Sequence, residues 1–223
     1  MDRIRALDPL NTEWVTLILL CAFLLLALIN WNSPKKWRLL SQAMFRMRLG
    51  KQALREELDL QDRTFIGLLV LAVAVLALFI WQGAVVAGII GAFEYWKIML
   101  AVALVVLAQA VVVRALGVLV KADGGLHEHT YTGLLTFILA GVLLLPLVVL
   151  IAYRPEWRNV LLIVGGSILV LTLIFRWLRA FWIGAGEGVP ARYIIIYLCG
   201  AEILPLLLLT HVLRPTIPIL TNP

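Results

Sequence analysis

Charged residues are scarce in this chain. Asp, Glu, Lys and Arg make up 14% of its 223 residues, whereas 63% of the residues are hydrophobic and the mean hydropathy is +1.01. An ordinary soluble protein is about 45–50% apolar with glycine included. Disorder is excluded for most of the chain, because too little of it is polar. The composition therefore indicates a polytopic membrane protein.

Cysteine is rarer still, with two residues, Cys21 and Cys199. Both lie within apolar runs and neither belongs to a CxxC motif, so we interpret them as small buried hydrophobic residues. A structural zinc site would need spaced thiolates. His127 and His129 are only two residues apart and no third ligand is evident. We therefore expect neither a metal nor a cofactor.

The familiar catalytic and nucleotide-binding motifs are missing as well. The sequence contains no P-loop, no dinucleotide fingerprint, no HExxH, no paired-Asp motif and no Ser-His-Asp set. This speaks against an enzyme without deciding the question. The net charge of +6 would suggest nucleic acid in a soluble protein, but here it fits cytoplasmic loops that face anionic lipid. We expect no nucleic-acid partner.

Six apolar runs are long enough to be transmembrane helices. The sequence therefore predicts a single membrane domain over 1–223, an all-α polytopic bundle of about six spans. The predicted spans are 14–31, 64–83, 97–118, 132–153, 159–178 and 193–213. The glycine-rich segment 83–96 is too short for a further span, and we interpret it as interfacial or re-entrant. Whether it crosses, re-enters or lies flat stays open.

The main polar segment, 33–60, follows the first span. Ser33 and Pro34 suit the start of a helix. An apolar stripe then recurs at helical spacing among Lys and Arg residues, and it comprises Trp37, Leu40, Met44 and Met47. This pattern predicts a basic amphipathic helix on the cytoplasmic membrane surface, which contacts lipid or docks a partner. The alternative is a solvated helix without a lipid role.

The distribution of Lys and Arg predicts the orientation. With the N-terminus outside, the inner segments contain 13 of the 19 Lys and Arg residues. Because cytoplasmic loops are enriched in these residues, we predict six spans with both termini on the outer side.

The last predicted span contains an acid, Glu202, at about the middle of the bilayer. An ionisable residue at that depth is a functional hypothesis by default. Pro205 frees the carbonyl of Ala201, and a locally opened helix beside an acid is how some transporter sites are built. The candidate intramembrane polar site comprises Glu202, Gln109, Tyr197, Pro205 and Cys199. The alternative is a structural acid that is hydrogen-bonded to a neighbouring helix.

A second set of polar residues is predicted near the inner membrane surface. The candidate contacts for an anion or a lipid head group are Arg114, Arg176, Arg179, His129 and Tyr131. Arg176 and Arg179 would grip a phosphate as a pair of cations. The alternative is that they only anchor the helix end, with snorkelling side chains.

The C-terminal string Tyr193-Ile-Ile-Ile-Tyr197-Leu-Cys199, followed by Glu202-Ile-Leu-Pro205, resembles the signature of a Bacteroidota family of unknown function. Its members are multi-span inner-membrane proteins. His129, Tyr131, Phe137, Gly141 and Pro146 are similar in order and spacing to that family's middle section. The resemblance implies the inner membrane of a Gram-negative bacterium and no activity. In that membrane, the outer side predicted for both termini from the Lys and Arg distribution is the periplasm.

Three functions remain open at this point. The first is a non-enzymatic accessory or assembly component that binds membrane lipid or a membrane protein partner. The second is a small transporter or lipid-handling protein that uses Glu202 with Arg114 and Arg176. The third, an intramembrane enzyme acting on a lipid phosphate, is the least favoured, because such enzymes have a denser set of acids, His and Arg.

Overall fold

The computed structural model of the chain describes residues 10–32, 63–89, 94–120 and 125–186, with only the backbone described at 32, 113–120, 125–132, 180 and 183–186. Five long helices make up most of this part: α1 (Glu13–Asn32), α2 (Arg63–Val86), α3 (Tyr95–Val120), α4 (Gly125–Tyr153) and α5 (Arg158–Gly186). A short 3-10 turn, Pro155–Trp157, joins α4 to α5. These ranges contain no strand, and the predicted all-α membrane bundle is confirmed for them.

Each of the five helices is long and apolar enough to cross a membrane. The candidate spans are Glu13–Trp31, Arg63–Val86, Tyr95–Val112, Gly133–Tyr153 and Pro155–Arg179. Helices suit this environment because every backbone hydrogen bond is made within the segment, where no water can replace it. The predicted sixth span, 193–213, and the amphipathic segment, 33–60, lie outside the described residues.

Helices α2 and α4 form the centre of the bundle. They make the largest interface, α3 packs on both of them, α1 packs mainly on α2, and α5 packs mainly on α4. In the α2 and α4 spans 56% of the residues are buried, against 17% in the α1 and α5 spans. The bundle therefore has a buried central pair and two outer helices whose apolar faces are open to lipid or to a partner.

The helices alternate in direction, which places their termini at two ends. We call the end of the bundle at which α1, α3 and α5 begin, and at which α2 and α4 end, the Trp14 end. The opposite end is the Arg176 end. Trp14 contacts Trp81 near the finish of α2, and Arg176 contacts Phe137 in the first half of α4. The central pair therefore runs parallel, and α1, α3 and α5 run antiparallel to it.

The connection between α2 and α3 starts and finishes at the Trp14 end. The predicted second span finishes at 83, whereas α2 continues to Val86 and then closes with Gly88 at φ +70°. The N–H of Ile89 donates to the carbonyl of Ala84 at 2.9 Å, and that of Gly88 donates to Val85 at 3.0 Å. This is the pattern that closes a helix through a left-handed glycine.

The two central helices touch at Gly141 of α4. A Cβ atom at Gly141 would lie 2.5 Å from the Cα atom of Ala72 in α2. Only a residue without a side chain allows the backbones to come this close, as at many helix contacts in membranes. Gly165 of α5 similarly accommodates the ring of Phe79, to which a Cβ would come within 2.4 Å.

Candidate functional site

Arg176 is the best-defined polar residue at the Arg176 end. Its Cζ atom lies 4.9 Å from the ring centroid of Phe137, a distance at which a guanidinium is attracted to an aromatic face. A Cβ at Gly133, one turn before Phe137, would lie 3.2 Å from Nη2 and 3.6 Å from Cζ of Arg176. The guanidinium group therefore lies against the backbone of α4, where Gly133 leaves room for it.

Arg179 accompanies Arg176 on the same side of α5. Arg176 is 7% exposed and Arg179 is 2% exposed, and both residues make further interactions within the protein. Neither side chain extends outward from the bundle as a snorkelling anchor does. Gly133 begins one candidate span and Arg179 finishes another, so both arginines lie close to the level at which the apolar part of the bundle stops.

The other predicted anion contacts are described only in part. Arg114 lies in the last two turns of α3, and the backbone of His129 and Tyr131 forms part of the first two turns of α4. All three backbones therefore belong to the Arg176 end. Their side chains lie outside the described residues, so their contact with an anion stays a prediction.

The predicted intramembrane polar site cannot be assembled from the described residues. Gln109 of α3 is buried, with 7% exposure. Glu202, Tyr197, Cys199 and Pro205 all lie outside the described part of the chain. The pairing of Gln109 with Glu202 therefore stays a prediction.

A second buried polar group, which sequence reasoning missed, lies at the Trp14 end. Gln82 of α2 is fully buried and donates from Nε2 to the carbonyl of Val148 in α4 at 3.1 Å. Neither its Oε1 atom nor Nε1 of the adjacent Trp81 has a hydrogen-bond partner within the described residues. The signal was present in the sequence, because Gln82 is an amide near the end of a long apolar run.

Aromatic rings surround this second group. Trp14 of α1 packs edge-on against Trp81, with ring centroids 4.8 Å apart, and it lies 5.4 Å from the ring of Tyr95. The hydroxyl of Tyr95 donates to the carbonyl of Ala74 at 3.3 Å. The ring contacts and the hydrogen bond of Tyr95 join α1, α2 and α3, so the cluster packs these three helices together.

The sequence profile of the family described as "Domain of unknown function (DUF4271)" matches residues 15–213. The chain belongs to this family. The match spans all five described helices apart from the first two residues of α1, and it extends over the predicted sixth span. Searches among curated proteins and among solved structures find no match. Membership in the DUF4271 family therefore places the chain in a family of unknown function.

The two ends of this DUF4271 protein differ in charge. In the described ranges the Trp14 end carries three acids and three bases, which are Glu13, Glu94, Glu156, Lys97, Arg154 and Arg158. The Arg176 end carries four bases and one acid, which are Arg63, Arg114, Arg176, Arg179 and Glu128. At the Trp14 end Lys97 forms a salt bridge with Glu94 at 3.3 Å. The fixed positive charge is therefore concentrated at the Arg176 end.

The connection from α1 to α2 adds to this difference. The last residue of α1 and the first residue of α2 both lie at the Arg176 end, and residues 33–62 connect them. Their sequence contains seven Lys and Arg residues and four Asp and Glu residues. Among the described residues, no three His, Cys, Asp or Glu side chains come together as a metal site would require.

Proposed function

We propose that this protein is a non-enzymatic accessory or assembly component of the bacterial inner membrane. Its Arg176 end faces the cytoplasm and binds anionic lipid or a membrane protein partner. The observation that carries the proposal is the charge difference between the two ends of the bundle: among the described residues, the Trp14 end has no net charge and the Arg176 end has a surplus of arginines.

The charge difference supports the orientation. Lys and Arg residues near the ends of spans are retained on the cytoplasmic side. The inner leaflet is anionic and attracts each nearby Lys or Arg by about 1 kcal/mol. The net charge of residues 33–62 is +3, which corresponds to an attraction of about 3 kcal/mol. The orientation leaves both chain termini in the periplasm if the predicted sixth span crosses.

Labelling with a membrane-impermeant maleimide tests the orientation. In a background of Cys21→Ser and Cys199→Ser, Glu156→Cys marks the Trp14 end and Asp62→Cys marks the Arg176 end. We expect Glu156→Cys to be labelled on intact spheroplasts and Asp62→Cys to be labelled only after permeabilisation. The opposite pattern would place the basic end in the periplasm and contradict the proposal.

The outer helices support a role beside a partner. α1 and α5 expose large apolar side chains along most of their length, among them Leu17, Leu24, Ile163 and Leu171. In a membrane such faces contact lipid tails or another helix. Exposed Trp residues mark both ends of α5, with Trp157 at the Trp14 end and Trp182 at the other, as is common at membrane interfaces.

Native mass spectrometry of the protein, extracted gently from its own membrane, tests the accessory role. We expect a second protein to remain bound at a fixed stoichiometry, in the wild type and in Glu202→Gln alike. A bare monomer in both would contradict a stable accessory role.

The alternative function is a small transporter or lipid-handling protein that uses Glu202 with Arg114 and Arg176. The observation that favours it is the burial of Arg176 inside the bundle, since a buried cation can receive an anionic group away from water. Glu202→Gln keeps the shape of the side chain and removes its charge. A lipid adduct that is present in the wild type and absent from this variant would favour the alternative over the accessory role.

A further inference from the structure

We draw no further inference here: the strongest candidate, the apolar outer face of α5 that exposes Ile163, Val170 and Leu171, carries none, because nothing in the described part of the chain shows what covers it.

Discussion

Gly141 lies where the two central helices come closest, so it allows a sharp test of the fold. In Gly141→Ala the new Cβ atom would stand 2.5 Å from Cα of Ala72, 2.7 Å from its Cβ and 3.3 Å from its carbonyl oxygen. Carbon atoms pack best at about 3.5–4.0 Å. α2 and α4 would therefore have to separate by roughly 1 Å, and no side-chain rotation can relieve a clash with backbone.

The separation affects the whole central interface. Both helices contribute buried side chains to the core, such as Leu68, Val75 and Leu144, which are between 0% and 2% exposed, and separating the helices would loosen this core. Overpacking costs about 1–3 kcal/mol where the core can adjust, and more where it cannot. We expect Gly141→Ala to lower the free energy of unfolding by about 3 kcal/mol or more.

Gly166→Ala is the matched control. It makes the same chemical change inside a helix, but nothing lies within 4 Å of its Cβ position. In a helix, alanine is favoured over glycine by about 1 kcal/mol, so this variant should be as stable as the wild type or more stable. The assay is unfolding by SDS in mixed micelles, followed by tryptophan fluorescence.

A second substitution, at Ala72, tests whether the contact with this residue causes the loss of stability. When Ala72→Gly is added to Gly141→Ala, the 2.7 Å contact between the two Cβ atoms is removed, but the new Cβ still lies 2.5 Å from the Cα of residue 72. The double variant should therefore regain only part of the stability that Gly141→Ala loses. Equal unfolding free energies for Gly141→Ala and Gly166→Ala, within about 0.5 kcal/mol, would show that α2 and α4 do not cross at Gly141.

Three further substitutions separate other features of the bundle by the same assay. Gly165→Ala would bring Cβ to 2.4 Å from the ring of Phe79; because a ring can turn, we expect a loss of about 1–2 kcal/mol, and Phe79→Leu should recover most of it. Gln82→Leu loses the hydrogen bond to the carbonyl of Val148, worth about 1 kcal/mol, and also removes the buried acceptor Oε1, whose burial costs about 1–3 kcal/mol. The free energy of unfolding should therefore stay the same or rise. A loss above about 2 kcal/mol would mean that Oε1 has a hydrogen-bond partner. Gly88→Ala puts a side chain at φ +70° and should cost about 1 kcal/mol, whereas no loss would contradict the left-handed helix end.

That the described part of the chain forms long apolar helices could be predicted from the sequence, because apolar length decides it. A run of about 20 apolar residues suffices to cross a bilayer, and within lipid the backbone has to be helical. The end of the second helix was harder to predict, since span length places it at 83 whereas α2 continues to Val86 and closes at Gly88. That turn depends on the φ angle of one residue, which hydropathy does not reveal.

The candidate sites could be predicted only in part. The charge of Arg176 and Arg179 in an apolar chain makes them candidates, whereas their burial and the contacts of Arg176 with Phe137 and Gly133 depend on the packing of α4 on α5. Gln82 was overlooked, because one amide in an apolar run attracts less attention than an acid such as Glu202.

Composition and the length of the apolar runs alone determine that this chain forms apolar helices that cross a membrane. The length needed to span the bilayer and the need for internal backbone hydrogen bonds do not depend on how the helices pack. They do not reveal which helices are central. The spans are apolar around most of their circumference, so no stripe distinguishes a buried face from one open to lipid. Gly141 and Gly166 are both glycines inside spans, and it is the packing of the helices that places one against Ala72 and leaves the other open. The contact between helices, rather than the type of residue, therefore determines which glycine matters.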